Sequence, residues 1–305
     1  MWQVAGPIVF VVFVWWFTTG AVILLGRLPA ATHGWSLAVA TLVLIASLLA
    51  LKVASETVTT ASVVVTFSAV IGIWAWHEMS FLFGYVTGHR NEACPDWASG
   101  WTRFRFAFAA LSHHELALLA TFLVVLALTW GAENLYGLGA FAILWLMRIT
   151  AKLNLFLGVP HFSEEVLPRR LAYLASYFRK RQVAGFFMAT LIVSSGVALA
   201  LISRLATAVD LGAAHTVGMI MLVSLLALAI LEHVFMAVPF ADIALWRWAL
   251  IEEGGGRRFA RSDRKTRTNN PRRSIVRRLA AGMRTPVEAC ATTSTRRGGD
   301  FDNGL

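Results

Sequence analysis

The chain is short of charge and nearly free of cysteine. Of its 305 residues only 14% are Asp, Glu, Lys or Arg, and just two are cysteines, Cys94 and Cys290. With no Cys-x-x-Cys pair, dithiol redox and zinc-ribbon chemistry are excluded. Both cysteines fall on the side expected to be reducing, so free thiols are expected and no disulfide. No Gly-x-x-x-x-Gly-Lys-Ser/Thr string is present, which removes the phosphate-cradling loop of nucleotide hydrolases. The Glu-x-x-His spacing that puts two di-iron ligands on one helical face is also missing. The N-terminus lacks a basic region, so its apolar run reads as a retained helix and not a cleaved signal.

What the chain has instead is apolar length. Hydrophobic residues make up 57% and the mean hydropathy is +0.65, outside the range of soluble domains. Crossing the hydrocarbon core takes about 20 apolar residues in a helix. Seven runs qualify: residues 1–25, 36–54, 58–84, 108–130, 135–157, 183–202 and 213–238. The expected fold class is therefore all-α, a polytopic membrane protein of about seven transmembrane helices. The seventh run has no lysine to form a Schiff base, which removes the retinal-protein reading. Inverted repeats with broken helices, the usual transporter sign, are not visible.

Positive charge sorts the connections into two sets. One set carries Arg27, then Arg90, Arg103 and Arg105, then Arg169, Arg170, Arg179, Lys180 and Arg181. The alternate set holds Lys52 with Glu56, Glu133, and Arg204 with Asp210. This bias predicts an outside N-terminus and an inside C-terminus. From residue 251 onward there are 13 Lys/Arg against 6 Asp/Glu among Gly, Asn, Ser and Thr. Such a segment buries too little apolar surface to fold alone. The chain thus divides into a membrane body, residues 1–250, and a basic tail, residues 251–305, expected to be disordered and to touch anionic lipid. Only Phe259 interleaves with the basic residues, so nucleic acid is not an expected partner.

Against this apolar background, His-Glu pairs inside the runs stand out: His77-Glu78, His113-His114-Glu115 and Glu232-His233. Ionisable side chains are rare at membrane depth and point to function. At 1.5 Å rise per residue, His77 and Glu78 lie about 10 Å from the basic end of their run and Glu232 and His233 about 8 Å. The fifth run adds Arg148, Lys152 and Asn154 to the same layer, so four helices supply it. Adjacent residues diverge by about 100° around a helix, so within each pair one side chain faces the bundle while its neighbour faces another helix. His113 is expected nearer the interface. Arg148 and Lys152, at i and i+4, share a face, and Glu78, Glu115 and Glu232 are their expected partners, because buried cations need compensation.

Three readings of this layer are open. His77, Glu78, His114, Glu115, Glu232 and His233 are ligand types that suit a transition metal, Fe, Mn or Zn. His77, His114 or His233 could instead ligate the magnesium of a chlorophyll-type pigment. The third reading is a structural network of charge pairs. In the loops, Trp97, Trp101, Phe104 and Phe106 with Arg103 and Arg105 read as an interfacial stretch. Leu167, Leu171, Leu174 and Phe178 predict an amphipathic helix lying at the interface on the cytoplasmic side. His161, Glu164 and Glu165 would cap the layer, or Ser163 would N-cap that helix with these residues solvated.

Several strings together carry a family resemblance. These are Trp76 to Gly84 (WHEMSFLFG), Thr87-Gly88-His89-Arg90, His114-Glu115-Leu116, and Arg148 to Pro160 (RITAKLNLFLGVP). Over about residues 1–250 the chain resembles the PuhE family, photosynthetic complex assembly proteins of anoxygenic phototrophic bacteria. The tail departs from that pattern. The resemblance implies a bacterial inner-membrane (cytoplasmic or intracytoplasmic) protein, in which the charge bias puts the N-terminus in the periplasm and the C-terminus in the cytoplasm. It implies a role in reaction-centre or light-harvesting complex assembly, or in modulating bacteriochlorophyll synthesis. It carries over His77, Glu78, His114, Glu115, Arg148, Lys152, Asn154 and Pro160, with Glu232 and His233 beside them. For a pigment or precursor the implied binding residues are His77, His114, His233, Arg148, Lys152 and Asn154. Implied partners are membrane lipids and photosystem subunits or pigment-synthesis enzymes. The alternative is a membrane metalloenzyme of pigment metabolism, and whether any reaction is catalysed stays open.

The orientation has a direct test. A membrane-impermeant maleimide applied to intact spheroplasts should leave Cys94 unlabelled and label an introduced Glu133→Cys; the reverse pattern would invert the topology.

Overall fold

The computed structural model describes residues 2–161, 167–207, 212–238 and 242–249. The expected disorder of tail 251–305, Cys290, Asp210, and the capping roles of Ser163, Glu164 and Glu165 lie outside the described residues. Within them are seven helices long and apolar enough to span a membrane. They are α1 (Trp2–Arg27), α2 (Ala30–Ser55), α3 (Thr60–Leu82), α4 (Gly100–Leu128), α5 (Tyr136–Leu157), α6 (Gly185–Thr207) and α7 (Ala213–Ala237). All seven expected runs are present, and the fold is all-α as read. For convenience, the end of the bundle carrying Arg27, Arg90 and Arg103 is called the basic end.

Helix α3 occupies the centre, touching α1, α2, α4, α5 and α7. Half of its span is buried, against 11% for α2, so α3 is the core post and α2 is a peripheral, lipid-facing helix. The main core joins Phe67, Val70 and Ile73 of α3 to Leu51, Leu118, Phe141 and Met221 from four other helices. A capping box starts α3: the Thr59 hydroxyl accepts from the Ser62 backbone N–H, and the Ser62 hydroxyl accepts from the Thr59 backbone N–H. At the opposite end of the bundle from the basic end, fully buried Asn134 donates to the carbonyl of Ala54 at 3.2 Å and accepts from the Tyr136 N–H at 3.2 Å, joining the start of α5 to the end of α2.

Three features differ from expectation, each with a physical cause. First, α4 begins at Gly100, eight residues before the expected run. The stretch read as interfacial is helical, and its Arg103 is buried, 5% exposed, donating to the carbonyls of Phe156 at 3.2 Å and of Tyr177, with its guanidinium over the Phe156 ring. Charge that the topology rule counts as a sidedness marker here satisfies helix-end carbonyls. Second, the expected amphipathic helix is the 3-10 helix Arg169–Tyr177. Its apolar residues Leu171, Leu174 and Tyr177 are buried against Phe81 and Ala110, so that face meets protein and not lipid. Third, the chain beyond α7 turns back as the 3-10 helix Asp242–Ala249, which packs along α1. The Trp16 indole N–H donates to the Leu245 carbonyl at 2.9 Å, and the Trp246 indole N–H donates to the Trp16 carbonyl at 3.0 Å.

The loop between α3 and α4 does not leave the bundle. The His114 backbone N–H, inside α4, donates to the Thr87 carbonyl at 2.9 Å, and the Arg90 N–H donates to the Ala109 carbonyl at 3.4 Å. Irregular backbone at this depth is tolerated only where protein satisfies it. Residue 88 must be glycine for this approach, because a Cβ there would stand 2.1 Å from the Ala109 oxygen and 2.5 Å from the Ala110 carbonyl carbon, both main chain. Overpacking of this kind costs about 1–3 kcal/mol. Gly88→Ala should therefore lower the thermal midpoint of the detergent-solubilised protein. Gly196→Ala in α6, where nothing lies within 4 Å of the new Cβ, should leave it unchanged or raise it through helix propensity.

Candidate functional site

The helical geometry divides every His-Glu pair between two neighbours. On α3, His77 faces α4: its Nε2 is 2.9 Å from the Thr121 hydroxyl, and its ring centroid is 6.5 Å from that of His114. Glu78, the next residue, faces α5, where Arg148 Nη2 donates to its Oε2 at 2.7 Å. On α4, His114 packs on Phe81 of α3 with centroids 4.6 Å apart. Glu115 turns to α5 and accepts from Lys152 Nζ at 2.5 Å. On α7, His233 faces α5 and Glu232 faces α1, accepting from the Trp15 indole N–H at 2.8 Å. His113 is exposed, with its ring beside His89, as its position at the edge of the layer predicts.

The Arg148 and Lys152 pairings expected from charge balance are thus present. Both cations project from one face of α5, one reaching α3 and the other α4. Glu232 lies near enough to Arg148 to act as a second neighbouring charge. Thr150 and Asn154, also i and i+4, occupy another face. Thr150 Oγ1 is 3.1 Å from His233 Nε2, and His233 Nδ1 is 2.8 Å from the Ala229 carbonyl. A carbonyl only accepts, so Nδ1 carries a proton. The Thr150 hydroxyl beside Nε2 has one proton to give, and the Met147 carbonyl, 2.9 Å away, competes for it.

Other polar atoms of the layer are sealed in with no partner among the described residues: Nδ1 of His77, Nδ1 of His114, Oε1 of Glu78, Nε1 of Trp145, and both amide atoms of Asn154. His77 and His114 are 2% and 1% exposed, so a macrocycle reaches neither unless α3 and α4 part. Arg148 and Glu232 differ, being at the same depth but open, with 45% of the Arg148 side chain accessible. Around them Arg148 of α5 donates to Glu78 of α3, and Glu232 of α7 accepts from the Trp15 indole of α1. Among the described residues no group of three or more His, Cys, Asp or Glu side chains stands close enough to hold a metal ion. The six candidate ligands are distributed over separate pairings. Of the remaining sequence candidates, His161 is half-buried and its N–H donates to the Met236 carbonyl, tying the α5 exit to the end of α7. Pro160 sits beside Val159, which forms a single bridge with Lys180.

Residues 1–255 match a family described as "Protein of unknown function (DUF3623)". The chain belongs to this family. It is also similar to the "Uncharacterized 30.4 kDa protein in puhA 5'region" of Rhodobacter capsulatus, 36% identical over 246 residues, covering 78% of this chain and 88% of that protein. Both matches agree with the PuhE resemblance carried by the motifs. No solved structure matches the chain.

Sequence reasoning missed three polar neighbours of this DUF3623 layer: Trp15, Thr121 and Trp145. For Thr121 a signal existed, because it stands seven residues after His114 and so shares its face. Trp15 offered none, since an indole in an apolar run reads as lipid- or core-facing.

In the DUF3623 layer Glu115 and Lys152 are partly buried, and removing one member of a fully buried pair costs about 3–5 kcal/mol, an upper bound here, whereas replacing both is far milder. Glu115→Gln should accordingly lower thermal stability sharply, and Glu115→Gln with Lys152→Gln should recover most of the loss. A double variant as unstable as the single would show that the pairing is not what the charges supply.

Proposed function

We propose that this chain is an integral-membrane factor for biogenesis of the photosynthetic apparatus, acting in reaction-centre or light-harvesting complex assembly or in modulation of bacteriochlorophyll synthesis. The observation that carries this reading is the relative named for the puhA 5' region, which points to a photosynthesis locus. On this reading the charged layer handles a membrane-soluble pigment precursor at the basic end, taken to be cytoplasmic. Its partners are lipid, photosystem subunits or pigment-synthesis enzymes.

The side chains suit such a task in different ways. Arg148 and Glu232 are open and would meet a precursor first. His77 and His114 are buried on the α3–α4 seam, each with Nδ1 unbonded among the described residues. They are available as ligands only if the seam opens. Lys152 and Glu115 hold α4 to α5 and so set how readily it does. Asn154, fully buried with its amide unbonded, offers a donor and an acceptor at the same level.

The test is genetic and spectroscopic. A strain of a pigmented host lacking this chain should show reduced absorbance from assembled reaction-centre and light-harvesting complexes. Wild-type chain should restore it, and His77→Ala with His114→Ala should restore it only partly. Normal pigment–protein complexes in the deletion strain would end this reading.

A further inference from the structure

The open face beside Arg148 has a charge balance that narrows what it accepts. Within the layer the membrane helices contribute three carboxylates, Glu78, Glu115 and Glu232, and two cations, Arg148 and Lys152. Lys152 is committed to Glu115, and Arg148 donates through Nη2 to Glu78. Glu232 is the carboxylate left over, with the Trp15 indole N–H as its hydrogen-bond donor.

The open surface points the same way. Nearly half of the Arg148 side chain is accessible although the residue is about nine residues, on the order of 14 Å, from the end of α5. Its one hydrogen bond among the described residues leaves four guanidinium N–H groups needing acceptors. The second Glu78 oxygen, Oε1, is buried beside it and has no partner. Lipid tails satisfy none of these groups. A ligand anion would add a second excess negative charge next to Glu78 and Glu232. A ligand cation would be set against the Arg148 guanidinium. An uncharged oxygen-bearing group meets neither repulsion, accepting from Arg148 while its apolar body lies against Trp15 and the indole of Trp246, whose ring is 5.4 Å from that of Trp15.

We propose that the open face formed by Arg148, Glu232 and Trp15 binds the carbonyl-bearing end of an uncharged, membrane-soluble amphiphile, with Arg148 as its hydrogen-bond donor and Glu232 as the residue that excludes anions. This deepens the precursor-handling reading by naming the chemical class that the same site takes. The two fail separately: the deletion phenotype judges the function, and a binding measurement on the isolated protein judges the site.

The experiment uses the full chain in lipid nanodiscs and three diazirine-bearing C16 chains, ending in a methyl ketone, a carboxylate or a trimethylammonium group. After photolysis, labelled peptides are quantified by mass spectrometry. The ketone probe should label α1, α5 or α7 saturably, about tenfold above either charged probe, and Arg148→Gln should reduce that labelling about tenfold, as loss of a hydrogen bond to a charged group predicts. Because Arg148→Gln strands Glu78 and risks misfolding, Glu232→Gln supplies the second arm. It retains an acceptor for Trp15 and removes the surplus charge, so carboxylate labelling should rise several-fold, to about the ketone level. Equal labelling by all three probes, preference for a charged probe in the wild type, undiminished labelling in folded Arg148→Gln, or an unchanged probe order in Glu232→Gln would each overturn the proposal.

Discussion

An ion placed among apolar helices must be neutralised where it sits, and at the basic end of this bundle that requirement governs the rest. Arg148 and Lys152 project from one face of α5 and close on Glu78 of α3 and Glu115 of α4. Two pairs one helical turn apart determine the rotation of α5 about its axis. Once that rotation is set, Thr150 and Asn154 fall on a different face, and Thr150 meets His233 of α7. The seam of His77, Phe81, His114 and Thr121 then follows on the α3–α4 side. In each His-Glu pair, the 100° step between adjacent residues sends one side chain to one neighbour and one to another, so the pairs act as corner posts of the bundle.

Backbone polarity imposes the second constraint. The α3–α4 loop lies against α4 instead of leaving the bundle, and its carbonyls and N–H groups find partners in protein. The arginines of the basic end do similar work. Arg90 donates from Nε to the Tyr177 hydroxyl at 3.0 Å and covers Phe106, and Arg103 fastens the carbonyls that end α5 and the 3-10 helix Arg169–Tyr177. Positive charge on these loops therefore has two physical uses, sidedness and closure of backbone polarity, and composition reports only their sum. The return segment Asp242–Ala249 extends the same logic to α1. Trp248 occupies the space above Gly20 that a Cβ would fill, at 2.1 Å from the ring.

This arrangement places the chemistry of the layer in two environments. On the α3–α4 seam, His77 and His114 are enclosed by aromatic and helical neighbours, and their spare nitrogens face no partner. Beside it, Arg148 and Glu232 remain open despite their depth. A membrane protein that only needed rigidity would gain little from leaving a guanidinium half uncovered at that depth, because exposed charge there is costly.

By itself the sequence determined the seven spans, the all-α class, the family resemblance and the depth of the ionisable layer. Each of these depends on local quantities: apolar run length, contiguous motif, and residues counted from a run's end. It also determined that Arg148 and Lys152 needed carboxylate partners, because charge balance at a given depth can be summed without knowing contacts. Only the tertiary structure decided which carboxylate each cation meets, that the six candidate metal ligands stand in separate pairings, and that His77 and His114 are closed while Arg148 and Glu232 are open. Those outcomes depend on helix rotation and on close approaches such as Gly88 on α4 and Trp248 on Gly20, where residues far apart in the chain meet. No periodicity encodes such meetings, since apolar helices in lipid are amphipathic only weakly and their buried and lipid-facing sides read alike.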